Sequence, residues 1–227
     1  MRYPYLLFDA DNTLFDFDRG NRVAFNAVCA AFSLPDDDET FALYERCNNA
    51  MWAAFDRGEC TKDFLVVQRF RNFLAALGEE RDPAACNALH LRTLGQQSYL
   101  LPHAEEVCRE LSRSHKLYLV TNAVASVQRS RLGRSVIRSY ITDAFISEEA
   151  GAAKPDPAYF DYVFARIGGI TKENCIVIGD SLSSDIRGAN NYGLPCCWYD
   201  PKNSPAPADL RIDYRITDLR QLYDIVG

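Results

Sequence analysis

With 227 residues, 48% of them hydrophobic and 25% charged, the chain has the material for one large α/β unit or for a core domain carrying a smaller insert, and too much apolar content to stay disordered. A formal net charge of −6 repels a polyanion, which excludes DNA and long RNA as expected partners. A mononucleotide or sugar phosphate stays open, since it needs only one cation, a metal ion and a few backbone N–H groups.

The first predicted element is a strand, Tyr5-Leu6-Leu7-Phe8, an apolar run that breaks at Asp9 as a buried parallel strand does at the carboxyl edge of its sheet. Between about 16 and 96 the texture is helical: Phe41, Tyr44, Asn48, Met51, Trp52 and Phe55 follow one helical face, and Phe64, Val67, Phe70, Leu74 and Leu77 another. This segment leaves after the first strand and returns before the second, so it is expected to lie over the edge that holds Asp9. The expected domains are therefore a catalytic core, 1–15 and 97–227, and a helical cap, 16–96.

Beyond it helices and strands alternate. A helix over His103 to Ser114 precedes a strand from Leu117 to Val120 that ends at Thr121. A helix over Ser126 to Arg134 precedes a strand from Ala144 to Ile146 that ends at Ser147. The next helix, Asp156 to Ile167, has Asp156 placed to cap and Pro157 at its first position, and leads to the strand Cys175 to Ile178, ending at Gly179-Asp180. A helix over Ser183 to Tyr192 and a fifth candidate strand, Pro195 to Tyr199, complete the alternation, and Pro201 to Pro207 reads as a surface loop. Such alternation predicts a parallel sheet covered on both faces, with ligands bound where strands end. The eight cysteines form no C-x-x-C pair and no zinc-spaced cluster, so they read as reduced, partly buried small residues. No signal peptide and no membrane-length apolar run is found, and the cytoplasm is the expected location.

Polar residues at four strand ends carry the chemistry. Asp9 and Asp11 flank Ala10, so one carboxylate can attack phosphorus while the other handles a proton. Two acids this close repel unless a cation lies between them, which suits Asp11 as the proton donor and calls for Mg²⁺ near Asp9. The spacing is not that of a calcium loop, because Leu14 and Gly20 stand where an EF-hand needs Gly and Glu. After the strand at 175–178, Gly179 permits a sharp turn, Asp180 offers a hard oxygen ligand, and Asp185 lies one helical turn on, near enough to hold metal-bound water. Ser183 occupies the place of the second Gly of a serine-hydrolase elbow, so that reading fails. Thr121-Asn122 and Lys154-Pro155 add a hydroxyl and a cation. Each pair alone is ordinary, as a strand-end acid, a cap or a surface charge; four in chain order are not.

This ordered set resembles the haloacid dehalogenase superfamily: Asp9-Ala10-Asp11-Asn12-Thr13-Leu14 is similar to its first motif, Thr121-Asn122 to the second, Lys154-Pro155 to the third, and Gly179-Asp180 with Asp185 to the fourth. The resemblance implies a Rossmann-like parallel-sheet core with a helical cap inserted after the first motif. It implies that Asp9 becomes an aspartyl-phosphate, that Asp11 protonates the leaving oxygen and then activates water, and that Thr121, Asn122 and Lys154 bind phosphate. Asp9, the backbone carbonyl of Asp11, and Asp180 would hold Mg²⁺. An acid at Asp11 separates the phosphatases from the dehalogenases. Stretches 121–132, 146–155 and 9–18 resemble the bacterial pyrimidine 5′-nucleotidase branch, with Ala123 standing where that branch commonly has Gly.

The expected function is hydrolysis of a nucleoside 5′-monophosphate, with a sugar-phosphate or phosphoglycolate phosphatase as the alternative, a phosphomutase behind them, and a non-catalytic phosphate-binding protein as the reading from another class. Phe17, Trp52, Tyr44 and Asn48 are candidates to contact a base, and packing in the cap is the competing role for each.

Overall fold

In the computed structural model, which describes residues 2–227, six strands form one parallel sheet in the order β3-β2-β1-β4-β5-β6. They are β1 (Tyr5–Phe8), β2 (Lys116–Thr121), β3 (Ile141–Ile146), β4 (Cys175–Gly179), β5 (Cys196–Tyr199) and β6 (Tyr214–Ile216). The helices are α1 (Phe17–Phe32), α2 (Asp38–Asp56), α3 (Lys62–Leu77), α4 (Pro83–Leu94), α5 (Ala104–Leu111), α6 (Ala125–Arg134), α7 (Ser147–Ala150), α8 (Pro157–Phe164), α9 (Arg187–Tyr192) and α10 (Leu222–Val226). The fold is therefore the Rossmann-like α/β class that the alternation predicts.

β1 lies at the centre because both its faces are apolar. Leu6 and Phe8 pack in one layer with α5 and α10 residues such as Val107, Leu111 and Leu222, while Leu7 packs in the other with Tyr159, Phe160 and Val163 of α8 and Ala189 of α9. Leu7 pairs with Tyr118 of β2 on one side and Val177 of β4 on the other. The chain winds outward through β2 and β3, then crosses back to β4 and winds the opposite way. A crevice opens where the winding reverses, at the carboxyl ends of β1 and β4, and these are the strands that deliver Asp9 and Asp180.

Three elements differ from the sequence reading. β3 starts at Ile141, three residues before the predicted strand, because Thr142 and Asp143 lie exposed on an edge strand where polar residues are tolerated. β6 was not predicted at all; it is three residues long and pairs only with β5, too short to show a period. The predicted helix at 183–192 is divided, with a π turn over Leu182–Ile186 before α9. At α8 the expected cap is present: Asp156 accepts from Ala158 N at 2.9 Å, with Pro157 following.

Helices α1 to α4 have an apolar cluster of their own, built from Phe25, Val28, Tyr44, Phe70, Phe73 and Leu74. The predicted α3 face is corrected at one end: Phe64 is 51% exposed, and Lys62, Leu65, Val66, Arg69, Phe70, Phe73 and Leu74 are the buried positions. The first turn of α3 has left the four-helix cluster, and its Lys62 reaches the strand-end loops of the sheet instead. All eight cysteines are free. Among the described residues no helix is long and apolar enough to cross a membrane.

Candidate active site

The turn after β1 places the first two acids. Asp9 N donates to Ile178 O at 2.8 Å, which extends the β1–β4 pairing by one residue and carries the Asp9 side chain into the crevice. Asn12 then adopts φ 57°, a left-handed conformation that Asn tolerates better than most residues, so the chain turns back and Asp11 also borders the crevice. Thr13 ties this turn to the fourth motif: its Oγ accepts from Asp180 N at 3.1 Å and donates to Asp180 Oδ1 at 3.3 Å.

Oxygens of Asp9, Asp180 and Asp185 all lie within 4.8 Å of one another. Gly179 makes this possible, although for a reason other than the predicted turn. A Cβ there would stand 2.3 Å from the Asp185 carboxylate, so the missing side chain is the space that the acid occupies. Asp185 is fully buried, and its Oδ2 accepts from Ser181 N at 3.0 Å.

One ammonium pairs with two of the three acids. Lys154 is 1% exposed, and its Nζ donates to Asp9 Oδ1 at 2.8 Å, Asp185 Oδ1 at 2.5 Å and Val120 O at 2.6 Å. Its three N–H bonds are all committed to protein acceptors, behind Asp9 and out of the cavity lining. Burial disfavours its charge, but Asp185 and Asp9 outweigh burial and hold it protonated. Asp9 is pushed up to about 7, first by burial and then by Asp185, with Lys154 pulling the other way. Asp180 is raised well above the usual carboxylate range by burial, Asp9 and Asp185. Two buried acids and the half-buried Asp180 beside one cation leave an excess of negative charge that a hard, oxygen-seeking divalent ion relieves, and the donor set fits Mg²⁺.

Asp11 stands apart from this cluster. Its Oδ1 pairs with Arg131 of α6, a buried guanidinium that also donates from Nε to Gln97 O at 3.0 Å and lies over the Phe15 ring at 4.7 Å. Thr121 and Asn122 line the cavity, and the Asn122 side chain holds Lys154 in place by exchanging bonds with its backbone, Nδ2 to O at 2.8 Å and N to Oδ1 at 3.0 Å.

The cavity measures about 300 Å³, and most of its remaining wall comes from α1 to α4, with Val127 of α6 and the loop before it. Phe17, Asn48 and Trp52 line it as candidates did in the sequence. Tyr44 does not: it is wholly buried in the helical cluster, its Oη 3.1 Å from His90 Nε2, so its reading as a base contact is corrected to packing. Sequence reasoning missed Asp56, Arg69 and Lys62. Asp56 lines the cavity and accepts from Ser183 Oγ at 2.6 Å. Lys62 donates to Ala123 O at 3.1 Å and Ser147 Oγ at 2.6 Å. None has a local signal, since a charge at a helix end or on an apolar face reads as solvated until the facing element is known.

The chain is 35% identical over 226 residues to the HAD-hydrolase YfnB of Bacillus subtilis, covering 100% of this chain and 96% of that protein. The crystal structure of YfnB bound to magnesium superposes with a TM-score of 0.95 over 100% of both chains. The pyrimidine 5′-nucleotidase PynA of Streptococcus pneumoniae is 32% identical over 99% of this chain and 95% of its own. The pyrimidine 5′-nucleotidase YjjG of Escherichia coli is 28% identical over 100% and 99%. The family model described as haloacid dehalogenase-like hydrolase matches residues 3–193, and with these relatives it shows that the chain belongs to the haloacid dehalogenase-like hydrolases, a family of enzymes that use a divalent metal.

Proposed function

We propose that the chain is a Mg²⁺-dependent phosphomonoesterase acting through an aspartyl-phosphate at Asp9, with nucleoside 5′-monophosphates, pyrimidine ones first, as its substrates. The observation that carries this reading is the gathering of Asp9, Asp180, Asp185 and Lys154 at the reversal of sheet winding, with Asp11 two residues beyond the nucleophile on the same cavity. The nucleotide preference draws on the named activities of PynA and YjjG and on an aromatic cavity wall.

Asp9 and Asp180, with the backbone carbonyl of Asp11, would hold the ion, and Asp185 would support it from behind. Bound there, Mg²⁺ supplies positive charge that offsets the phosphoryl oxygens and the attacking carboxylate. Lys154 fixes the Asp9 carboxylate by one oxygen, leaving the other to attack phosphorus. The bond from Asp9 oxygen to phosphorus forms as the ester bond breaks, and Asp11 delivers a proton to the departing oxygen. Asp11 then takes a proton from water, which attacks phosphorus, releases inorganic phosphate and restores Asp9. To reach the leaving oxygen Asp11 exchanges Arg131 for substrate. Thr121 and Asn122 bind the phosphoryl oxygens, and Lys154 contributes its charge through Asp9.

Residues 16–96 are read as a cap and 1–15 with 97–227 as the catalytic core. Support for this comes from the separate apolar cluster of α1 to α4 and from two polar contacts to the sheet's loops, Lys62 to Ala123 and Asp56 to Ser183. The test is a panel of UMP, dUMP, TMP, ribose 5-phosphate and phosphoglycolate with Mg²⁺ and with EDTA. Highest kcat/KM on the nucleotides, abolished by EDTA and restored by Mg²⁺, is the expected result. Preference for phosphoglycolate replaces the substrate and keeps the mechanism; full activity in EDTA removes the metal site.

A further inference from the structure

Arg69 of α3 is 2% exposed and pairs with no carboxylate among the described residues. Its protein partners are all neutral. Nε donates to Val66 O at 3.2 Å, Nη1 to Asn48 Oδ1 at 2.8 Å, and Nη2 to Asn87 Oδ1 at 3.1 Å and to His90 Nδ1 at 3.3 Å. A guanidinium cannot accept, so His90 Nδ1 is bare and its proton sits on Nε2, facing Asn21 Oδ1 at 3.0 Å and Tyr44 Oη at 3.1 Å. Burial, followed by the charge of Arg69, keeps His90 far below its ordinary range and therefore neutral. The network spans α1 to α4 and contains no negative charge.

A buried cation without a counter-charge is costly, and a helical bundle that needed only a polar hub would be served by a neutral side chain. Two features point outward instead. Among the described residues that line the cavity, Arg69 is the only cation, set on the wall formed by the helices, where Asp56 is the one acid, while Asp9, Asp11, Asp180 and Asp185 form the floor. Of the five N–H bonds of its guanidinium, four have the acceptors named above, and the second N–H of Nη1 has none among the described residues. Asn48, which anchors Nη1, lines the same cavity, and Trp52 lies one helical turn further along α2.

We propose that Arg69 determines specificity by donating to an acceptor oxygen on the leaving group of the phosphomonoester, a base carbonyl or a carboxylate. The inference rests on the phosphatase reading of the cavity. Phosphate held at the floor would send the leaving group toward the helical wall, where an uncompensated guanidinium favours a carbonyl-rich or anionic end over an apolar one. A pyrimidine carries such carbonyls and phosphoglycolate carries a carboxylate, so both sources share the chemistry.

The experiment compares kcat/KM for UMP, for the 5′-phosphate of a riboside carrying benzene in place of uracil, for phosphoglycolate and for ethyl phosphate, which lacks an acceptor at its far end. Wild type, Arg69→Gln and Arg69→Lys are measured together, with circular dichroism and melting temperature. The wild type should favour UMP over the benzene riboside by about 10- to 100-fold, the value of one charge-assisted hydrogen bond. R69Q should bring that ratio toward one, and R69K should restore part of it. Should R69Q fail to fold, the wild-type ratio and R69K decide: a wild type indifferent to the carbonyls overturns the proposal. Equal losses on every substrate also overturn it and leave Arg69 as a packing hub. Discrimination of phosphoglycolate over ethyl phosphate, lost in R69Q while UMP is ignored, keeps the role of Arg69 and removes the nucleotide. Failure to hydrolyse any phosphomonoester removes the phosphatase reading and this inference with it.

Discussion

Two buried polar clusters face one another across the cavity, and they are built on opposite principles. At the ends of β1 and β4, three acids gather with a single lysine that pairs with two of them, and the surplus is negative. Across from them, within α1 to α4, one arginine is held by amides, a carbonyl and a neutral histidine, and the surplus is positive. Each cluster is internally well hydrogen-bonded yet unbalanced in charge. Buried charge is retained at such a cost where something outside the protein balances it, and here the first imbalance suits a metal ion and the second an electron-rich leaving group. On the proposed reading, the phosphoryl group common to all substrates belongs to the sheet, and whatever distinguishes one substrate from another belongs to the helices.

The comparison can be broken most sharply at Asp9. Asp9→Asn should fold and should lose more than 99% of activity, a larger loss than the ~10²-fold expected at the least from removing a single stabilising donor. Retention of a hundredth or more of wild-type turnover in the purified variant would mean that Asp9 is not the nucleophile.

Asp180→Ala comes next, since it removes a hard ligand and leaves the others. The Mg²⁺ concentration for half-maximal activity should rise about tenfold or more. A titration curve that coincides with that of the wild type would place the ion elsewhere.

On the helical side the effect should be smaller and selective. Trp52→Ala, provided its melting temperature is unchanged, should lower the preference for UMP over ribose 5-phosphate by about 5- to 150-fold, the equivalent of ~1–3 kcal/mol for one stacked base. Parallel loss on both substrates would assign Trp52 to packing against Phe55, whose ring lies 5.7 Å away.

The smallest expected effect is on stability. Asp9 sits at about 7 in the metal-free fold against an ordinary 3.8, so the folded state binds the proton more tightly than the unfolded chain does. Its contribution to stability is complete below about 3.8 and is lost as pH rises through about 7. In EDTA the melting temperature of the wild type should therefore fall across that interval relative to D9N, by about 2–4 °C for each kcal/mol. Mg²⁺ should flatten the difference. If wild type and D9N run parallel in EDTA, the excess negative charge is not felt by the fold.

Much of this molecule was legible in the sequence because its signals are local. An apolar run that stops at an acid is a strand end wherever it occurs, and β1, β2, β4 and β5 could be recognised from a few residues each. The same local logic brought Asp9, Asp11, Thr121, Asn122, Lys154, Asp180 and Asp185 to one edge, and the tertiary structure does gather them there. It was blind where the cause lies in a distant partner. Arg69 sits on a helical face whose meaning depends on three other helices; Arg131 acquires its role from Asp11, 120 positions away. Lys62 and Asp56 matter because of loops that follow β2, β3 and β4. Phe64 satisfies the helical period and is nonetheless exposed, because α3 outruns the cluster that would cover it.

The sequence by itself determined the alternation that makes a parallel sheet, the chain positions at which that sheet ends in reactive groups, and the presence of a helical segment between the first two strands. Only the tertiary structure decided that β1 stands between β2 and β4, that Lys154 lies behind Asp9 and not on the cavity wall, and that Arg69 is the cation on that wall. Strand order and charge balance are sums over non-local neighbours. A side chain's propensity is written in its own residue, but its electrostatic surroundings are supplied by whatever the fold sets beside it.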